Sequence, residues 1–165
     1  MAKRHVFFSF HYSRDVWRAS QVRNMGKVDN SSTFSDNDWE KVRLKSNKEI
    51  ENWIDNQLDM CSCLVVLVGN QTSERKWIKY EIQKAYDMWK GIVGIRIDRL
   101  KDANGEQDLP GSNPFSSIYT KYGHSLSRYV TLFEPEHLTS SYVYSDIYEN
   151  IEHLIEEAIS KRGTY

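Results

Sequence analysis

Neither charge sign dominates this chain. Its 165 residues carry 22 Lys and Arg against 23 Asp and Glu, a net charge of −1. Nucleic-acid-binding surfaces show a basic surplus, so this balance argues against that partner. No apolar run approaches the roughly 20 residues of a membrane helix. The opening Met1-Ala2-Lys3-Arg4-His5 passes straight into a strand-like run, without a secretory hydrophobic region. Cysteine is scarce: Cys61 and Cys63 are the only two. A strand's alternation puts both on one face, two thiols cannot close a zinc site, and buried reduced thiols fit a cytoplasmic protein. The eight glycines form no Walker or dinucleotide-binding loop, and Gly69-Asn70-Gln71-Thr72 is too short to stand in for one. No Gly-x-Ser-x-Gly elbow occurs. His5, His11, His124, His137 and His153 lack metal spacing, so no metal is expected. Asp98 follows a strand, yet Ser9-Phe10-His11-Tyr12 supplies no acidic cluster, which argues against a magnesium-dependent phosphoacceptor.

What the chain does have is aromatic surface and an α/β rhythm. Aromatics make up 13 % of residues, with 10 Tyr and 5 Trp, more than a core needs; a stacking ligand or a protein interface would use the surplus. The length fits a single domain, 1–165. His5–Phe10 reads as a buried first strand, followed by a helix from Asp15 to about Met25 that offers Val16, Trp17, Ala19 and Val22 for burial. Thr33-Phe34 reads as a brief edge strand. Asp36 or Asn37 would cap a helix with Trp39, Val42, Ile50, Trp53 and Ile54 on one face. Ser46 shares that face, either as a site residue or bonded to its own turn.

Cys61–Val68 is apolar nearly throughout, as in a strand covered on both faces. A helix then runs to about Lys90, with Gly91 as its stop. Ile92–Ile97 is the next strand. A long loop spans Leu100–Ser117, with an exposed, rigid Pro110–Phe115. Tyr129–Phe133 is a last strand, and Ser145 caps a final amphipathic helix. This alternation means an α/β fold: a parallel sheet of about five strands with helices on both faces.

Glu81 stands out. At about 100° per residue, Trp77, Ile78, Ile82, Ala85 and Trp89 fall on one helical face, and Glu81 falls inside it. An ionised, unpaired carboxylate there costs several kcal/mol. A strand, a Gly-bearing loop and an inward acid near a helix start mark the ligand end of an open α/β sheet. A core salt bridge, or an acid answering the helix dipole, are the bland alternatives. His11, after the first strand, is the one well-placed histidine; an exposed loop residue is its alternative.

These features resemble the TIR-like proteins of bacterial Thoeris anti-phage systems. The resemblance lies in Ala2–Tyr12, in Phe34 and Trp39-Glu40, in Val68–Thr72 with Arg75–Ile82, and in Gly94–Ile97 with Lys101-Asp102 and Asn113-Pro114-Phe115. It covers roughly residues 1–118. It implies a flavodoxin-like TIR fold and cleavage of the nicotinamide–ribose bond of NAD, a substrate rather than a cofactor, with Glu81 catalytic. It also implies that ADP-ribose is joined to itself as a cyclic isomer, a diffusible signal for a separate effector protein. Self-association is a further expectation. Ser9, Phe10, His11, Phe34, Trp39, Ser46, Gly69 and Trp77 are the substrate-binding candidates, each against plain packing. Backbone groups around Ser9 and Gly69 are placed to meet the phosphates. Two rival functions remain: a non-catalytic interaction module, and a nucleoside deoxyribosyltransferase-like enzyme.

Overall fold

A computed structural model describes residues 3–29 and 41–165. Within them, a four-stranded parallel sheet runs β1 (Val6–Ser9), β2 (Cys63–Val68), β3 (Gly91–Arg96), β4 (Leu132–Phe133), in that spatial order. Four helices accompany it: α1 (Tyr12–Arg23), α2 (Asn47–Asp59), α3 (Lys76–Asp87) and α4 (Ser140–Lys161). The sheet has one strand fewer than expected among the described residues; the expected edge strand at Thr33-Phe34 and the cap at Asp36 or Asn37 lie outside them.

β2 explains the layering. All six of its residues are buried, and their alternation sends Cys63, Val65 and Leu67 to one core and Leu64, Val66 and Val68 to the other. The first core is closed by Ala19 and Val22 of α1 and by Val143, Ile147, Ile151, Leu154 and Ile155 of α4. The second is closed by Ile50, Ile54 and Leu58 of α2 and by Ile78, Ile82 and Ala85 of α3. A strand with no wet face needs apolar cover twice. The registers Phe8↔Val65 and Val65↔Val93 keep the pleats of the three long strands in step. By the same alternation Ser9 points to the α3 side, with Phe7.

Several local expectations are corrected. α1 begins earlier, capped by His11; Asp15 is fully buried inside it while Trp17 is 55 % exposed. The segment before α2 is broken, because turns follow Lys41-Val42 and Ser46 caps α2. Cys61 precedes β2 and enters the second core, whereas Cys63 enters the first. α3 stops at Asp87, and Trp89 lies beyond it with φ 57° and 64 % exposure, so it leaves the helical stripe. Gly91 opens β3 rather than stopping α3. Residues 126–128 form a 3₁₀ turn, which leaves only Leu132-Phe133 of the last strand. α4 starts at Ser140, and Ser145 bonds back to the Ser141 carbonyl inside it, the turn-internal bond of a mid-helix serine.

The long loop is tied down at several points. Arg18, itself buried, donates to the carbonyls of Leu100 (2.8 Å) and Glu106 (2.9 Å) and to Asp15 Oδ1 (3.0 Å). Arg96 donates to the Gly111 carbonyl at 2.7 Å. Phe115, expected on an exposed segment, is fully buried. Gly111 packs so tightly that a Cβ there would sit 2.4 Å from the carbonyl oxygens of both Gly69 and Asn70. Backbone cannot retreat from such a contact as a side-chain tip can. Gly111→Ala is therefore expected to cost about 1–3 kcal/mol in urea unfolding, with the loss of order concentrated in the 69–72 turn by hydrogen exchange.

Candidate functional site

Parallel sheets offer a crevice beyond the carboxyl ends of their strands, and this one has a cavity of about 650 Å³ there. Its wall runs from the end of β1 (Phe8, Ser9, Phe10, His11) to the start of α3 (Arg75, Lys76, Trp77, Ile78, Glu81). Arg43 and Leu44 close another side. Five candidates from the sequence bear on this geometry directly. Ser9, Phe10, His11, Trp77 and Glu81 line the cavity together; Gly69 does not.

Glu81 is 4 % exposed. Its Oε2 accepts the hydroxyl proton of Ser9, a contact between β1 and α3. Among the described residues no cation pairs with it, and it sits in the second turn of α3, past the reach of the dipole. Both bland alternatives thereby lose ground. Burial pushes its pKa from 4.5 up to about 8, and the Ser9 hydrogen bond offsets only part of that. A buried acid held mostly protonated near neutrality, with its rim on a cavity, is poised for charge chemistry rather than for stability.

His11 serves two ends. Its Nδ1 accepts from the Arg14 amide (3.4 Å) and lies 3.2 Å from Ser13 Oγ, so it caps α1. Burial, then the nearby Arg75 charge, lowers its pKa. The ring is therefore neutral, and the amide pointing at Nδ1 leaves the proton on Nε2. Trp77 is half-buried, edge-on to Tyr80 at 5.7 Å. Phe10 stacks with Tyr12 at 6.3 Å between centroids.

The remaining candidates fare differently. Ser46 is exposed; its hydroxyl accepts from the Glu49 amide and donates to the Glu49 carboxylate (3.0 Å), so it serves as a helix cap rather than a ligand contact. Gly69 is a packing glycine: a Cβ would fall 2.2 Å from Asp15 Oδ2. Its amide donates to Thr72 Oγ1 at 2.7 Å, so it is not free for a phosphate. Phe34 and Trp39 lie outside the described residues. Sequence reasoning missed Arg43, Arg75 and Lys76 as lining groups; the adjacency of Arg75-Lys76 to an inward-facing helix start was the available signal.

No group of three or more His, Cys, Asp or Glu among the described residues could hold a metal ion. None of their helices is long and apolar enough to cross a membrane.

The raised Glu81 pKa has a stability consequence. The unfolded chain loses this proton near pH 4.5 and the folded chain near 8, so the folded state holds one proton more between those values. Stability then falls as pH rises through that window. Glu81→Gln removes the penalty. The variant is expected to melt above the wild type at pH 8.5, by an amount on the order of a few kcal/mol, and to converge with it toward pH 5. Equal melting temperatures at both pH values would contradict the buried, unpaired state of this acid.

Two comparisons with known proteins bear on the site. Residues 7–102 match the family model described as "Thoeris protein ThsB, TIR-like domain", a span that holds every described cavity-lining residue. A protein of Bacillus cereus (strain MSX-D12) bearing the name "Putative cyclic ADP-D-ribose synthase ThsB1" is 37 % identical over 127 residues. That alignment covers 74 % of this chain and 66 % of the relative, just under two thirds of its length. With its family model matched over more than half its length, this chain belongs to the ThsB TIR-like domain family of Thoeris proteins.

Proposed function

We propose that this protein breaks the nicotinamide–ribose bond of NAD and closes the released ADP-ribose on itself. The observation that carries the reading is Glu81, a buried carboxyl on the wall of the one cavity described here beyond the carboxyl end of β1, hydrogen-bonded by Ser9 and raised to about 8. The name borne by the Bacillus cereus relative supports the same chemistry.

In the first step the C–N bond breaks and nicotinamide leaves with the electron pair. Positive charge spreads over the ribose C1 and ring oxygen. The Glu81 carboxylate faces that charge at low dielectric, where the attraction is larger in the transition state than in the ground state. Glycosidases set carboxylates against the same kind of ion. Ser9 keeps the carboxylate oriented. In the second step a hydroxyl or ring nitrogen of the same molecule attacks C1 and a proton is released, giving nicotinamide, a cyclic isomer and H⁺. Intramolecular capture enjoys an effective molarity that reaches roughly 10⁵ M in well-oriented cases, and Phe10 and Trp77 offer surfaces on which the ligand can fold. The product signals to a separate effector protein in the cytoplasm, and no metal takes part.

Mass spectrometry of NAD products tests this. Wild type is expected to yield nicotinamide and a cyclic isomer, and Glu81→Gln to lose at least about 10³-fold in rate while staying folded. Linear ADP-ribose as the sole product would leave a simple NAD hydrolase; base exchange on deoxynucleosides would favour a transferase; silence under every trigger would favour an interaction module. Activity should survive chelation by EDTA.

The pH profile is a second check. Glu81 must be ionised to act, so kcat/KM is expected to rise with pH through about 8, the free-enzyme value. The cationic nicotinamide ring favours the carboxylate, so the kcat profile should rise at lower pH than the kcat/KM profile. A kcat/KM flat from pH 6 to 9 would contradict the assignment.

A further inference from the structure

Glu81 accounts for one part of the cavity wall. Arg75 is exposed on another part, and its side chain makes no capping bond to α3, whose N-cap it occupies. Lys76 follows, with its ammonium 4.7 Å from the centroid of Trp77. α3 carries no acid in its first turn. The amides of Lys76, Trp77 and Ile78 therefore have neither an i−4 carbonyl in the helix nor a side-chain cap, and all three residues line the cavity.

His11, at 6 % exposure, lines the same cavity. Nδ1 is taken by the α1 cap, so the ring presents Nε2–H, and that atom has no partner among the described residues. The ring is buried except where Nε2–H opens onto the cavity, and a donor left open there can meet an anionic oxygen. The Arg75 charge is close enough to depress the His11 pKa, so the two belong to one locus. Among the described residues, Glu74 is the only lining acid besides Glu81.

We infer that Arg75, His11 Nε2–H and the first-turn amides of α3 form the subsite for the diphosphate of a dinucleotide, with Lys76 adding charge at the mouth. This rests on the NAD-cleaving reading and names how that substrate is oriented. Along α3, Arg75 and Glu81 are six residues apart, about 9 Å of axial rise. That is the scale of the reach from an anomeric carbon across one ribose to a diphosphate. With the phosphates fixed at the helix start, the scissile C1 is delivered to the Glu81 carboxylate about 1.7 turns on. The phosphates thus sit at α3 and His11, not at the Gly69 turn, whose amide is already bonded. The subsite also selects against nucleosides, which have nothing to place there.

Binding to Glu81→Gln, by calorimetry and amide NMR, tests the subsite with three probes: NAD, nicotinamide riboside and inorganic pyrophosphate. Adding Arg75→Ala, or His11→Asn, which keeps a cap acceptor, is expected to weaken NAD binding about tenfold or more. Riboside binding should stay unchanged, and Arg75→Lys should recover much of the loss. Pyrophosphate should shift the Lys76, Trp77 and Ile78 amides, and the shifts should vanish in Arg75→Ala. Unchanged NAD affinity, or a parallel loss for the riboside, overturns the subsite. Should the wild type prove unable to cleave NAD, the proposed function falls but the pyrophosphate arm still decides: shifts abolished by Arg75→Ala uphold an anion subsite, and their absence removes it.

Discussion

Cys63–Val68 is buried on both faces, and most of the architecture follows from that. Its two sets of alternate side chains each demand an apolar helical layer, and its two edges each demand a parallel partner. α1 with α4, and α2 with α3, supply the layers; β1 and β3 supply the partners. Helices packed this tightly leave no room for polar groups along the sheet. Polar chemistry is confined to the strand ends, where the backbone leaves the sheet and water can reach it. Glu81 is tolerated because α3 crosses the carboxyl end of β1 there, beside Ser9 and a cavity.

The long segment after β3 solves a second problem. A loop of this length tends toward disorder unless something fixes it. Arg18 does so from α1, through two carbonyls and Asp15, while Phe115 anchors the loop in the second core. Gly111 then lies against the Gly69–Asn70 backbone. The turn that leads into α3 is held from both sides, by Asp15 against Gly69 and by Gly111 from the loop. Rigidity at that turn carries over to where α3 begins, and so to where Glu81 sits.

The parts legible in the sequence were those set by periodicity. β2, the α3 stripe and the inward place of Glu81 all follow from apolar spacing; the contact of Ser9 with Glu81 came only from the structure. The failures share a cause, which is that tertiary contacts decide local ends. Trp89 fits the helical stripe by angle, yet the chain turns left-handed there and stands it over Gly163. Ser145 has cap chemistry, but the first turns of α4 precede it. Cys61 and Cys63 have strand spacing, but only one is in the strand. Gly69 resembles a ligand-loop glycine and is instead required by a buried carboxylate. Asp15, expected at a helix start, is buried inside α1 instead; no periodic signal reports an ion pair with Arg18.

The same confinement of polar groups sets the electrostatics of the site. Desolvation disfavours the charged form of Glu81 and of His11 alike, raising the acid and lowering the base. In the empty cavity near neutrality, both groups are largely neutral, and the fixed charges lie at the mouth on Arg43, Arg75, Lys76 and Glu74. On the proposed reading, a ligand with a cationic head and an anionic diphosphate would meet this layout in one orientation, its anion with the cations at the helix start and its cation drawing out the carboxylate charge deeper in. The cost of the buried carboxylate then falls mainly on the occupied state, where a positive charge is present to offset it. An acid left permanently ionised in the same place would need a permanent counter-ion, and that counter-ion would compete with the charge that the proposed reaction develops on the ribose.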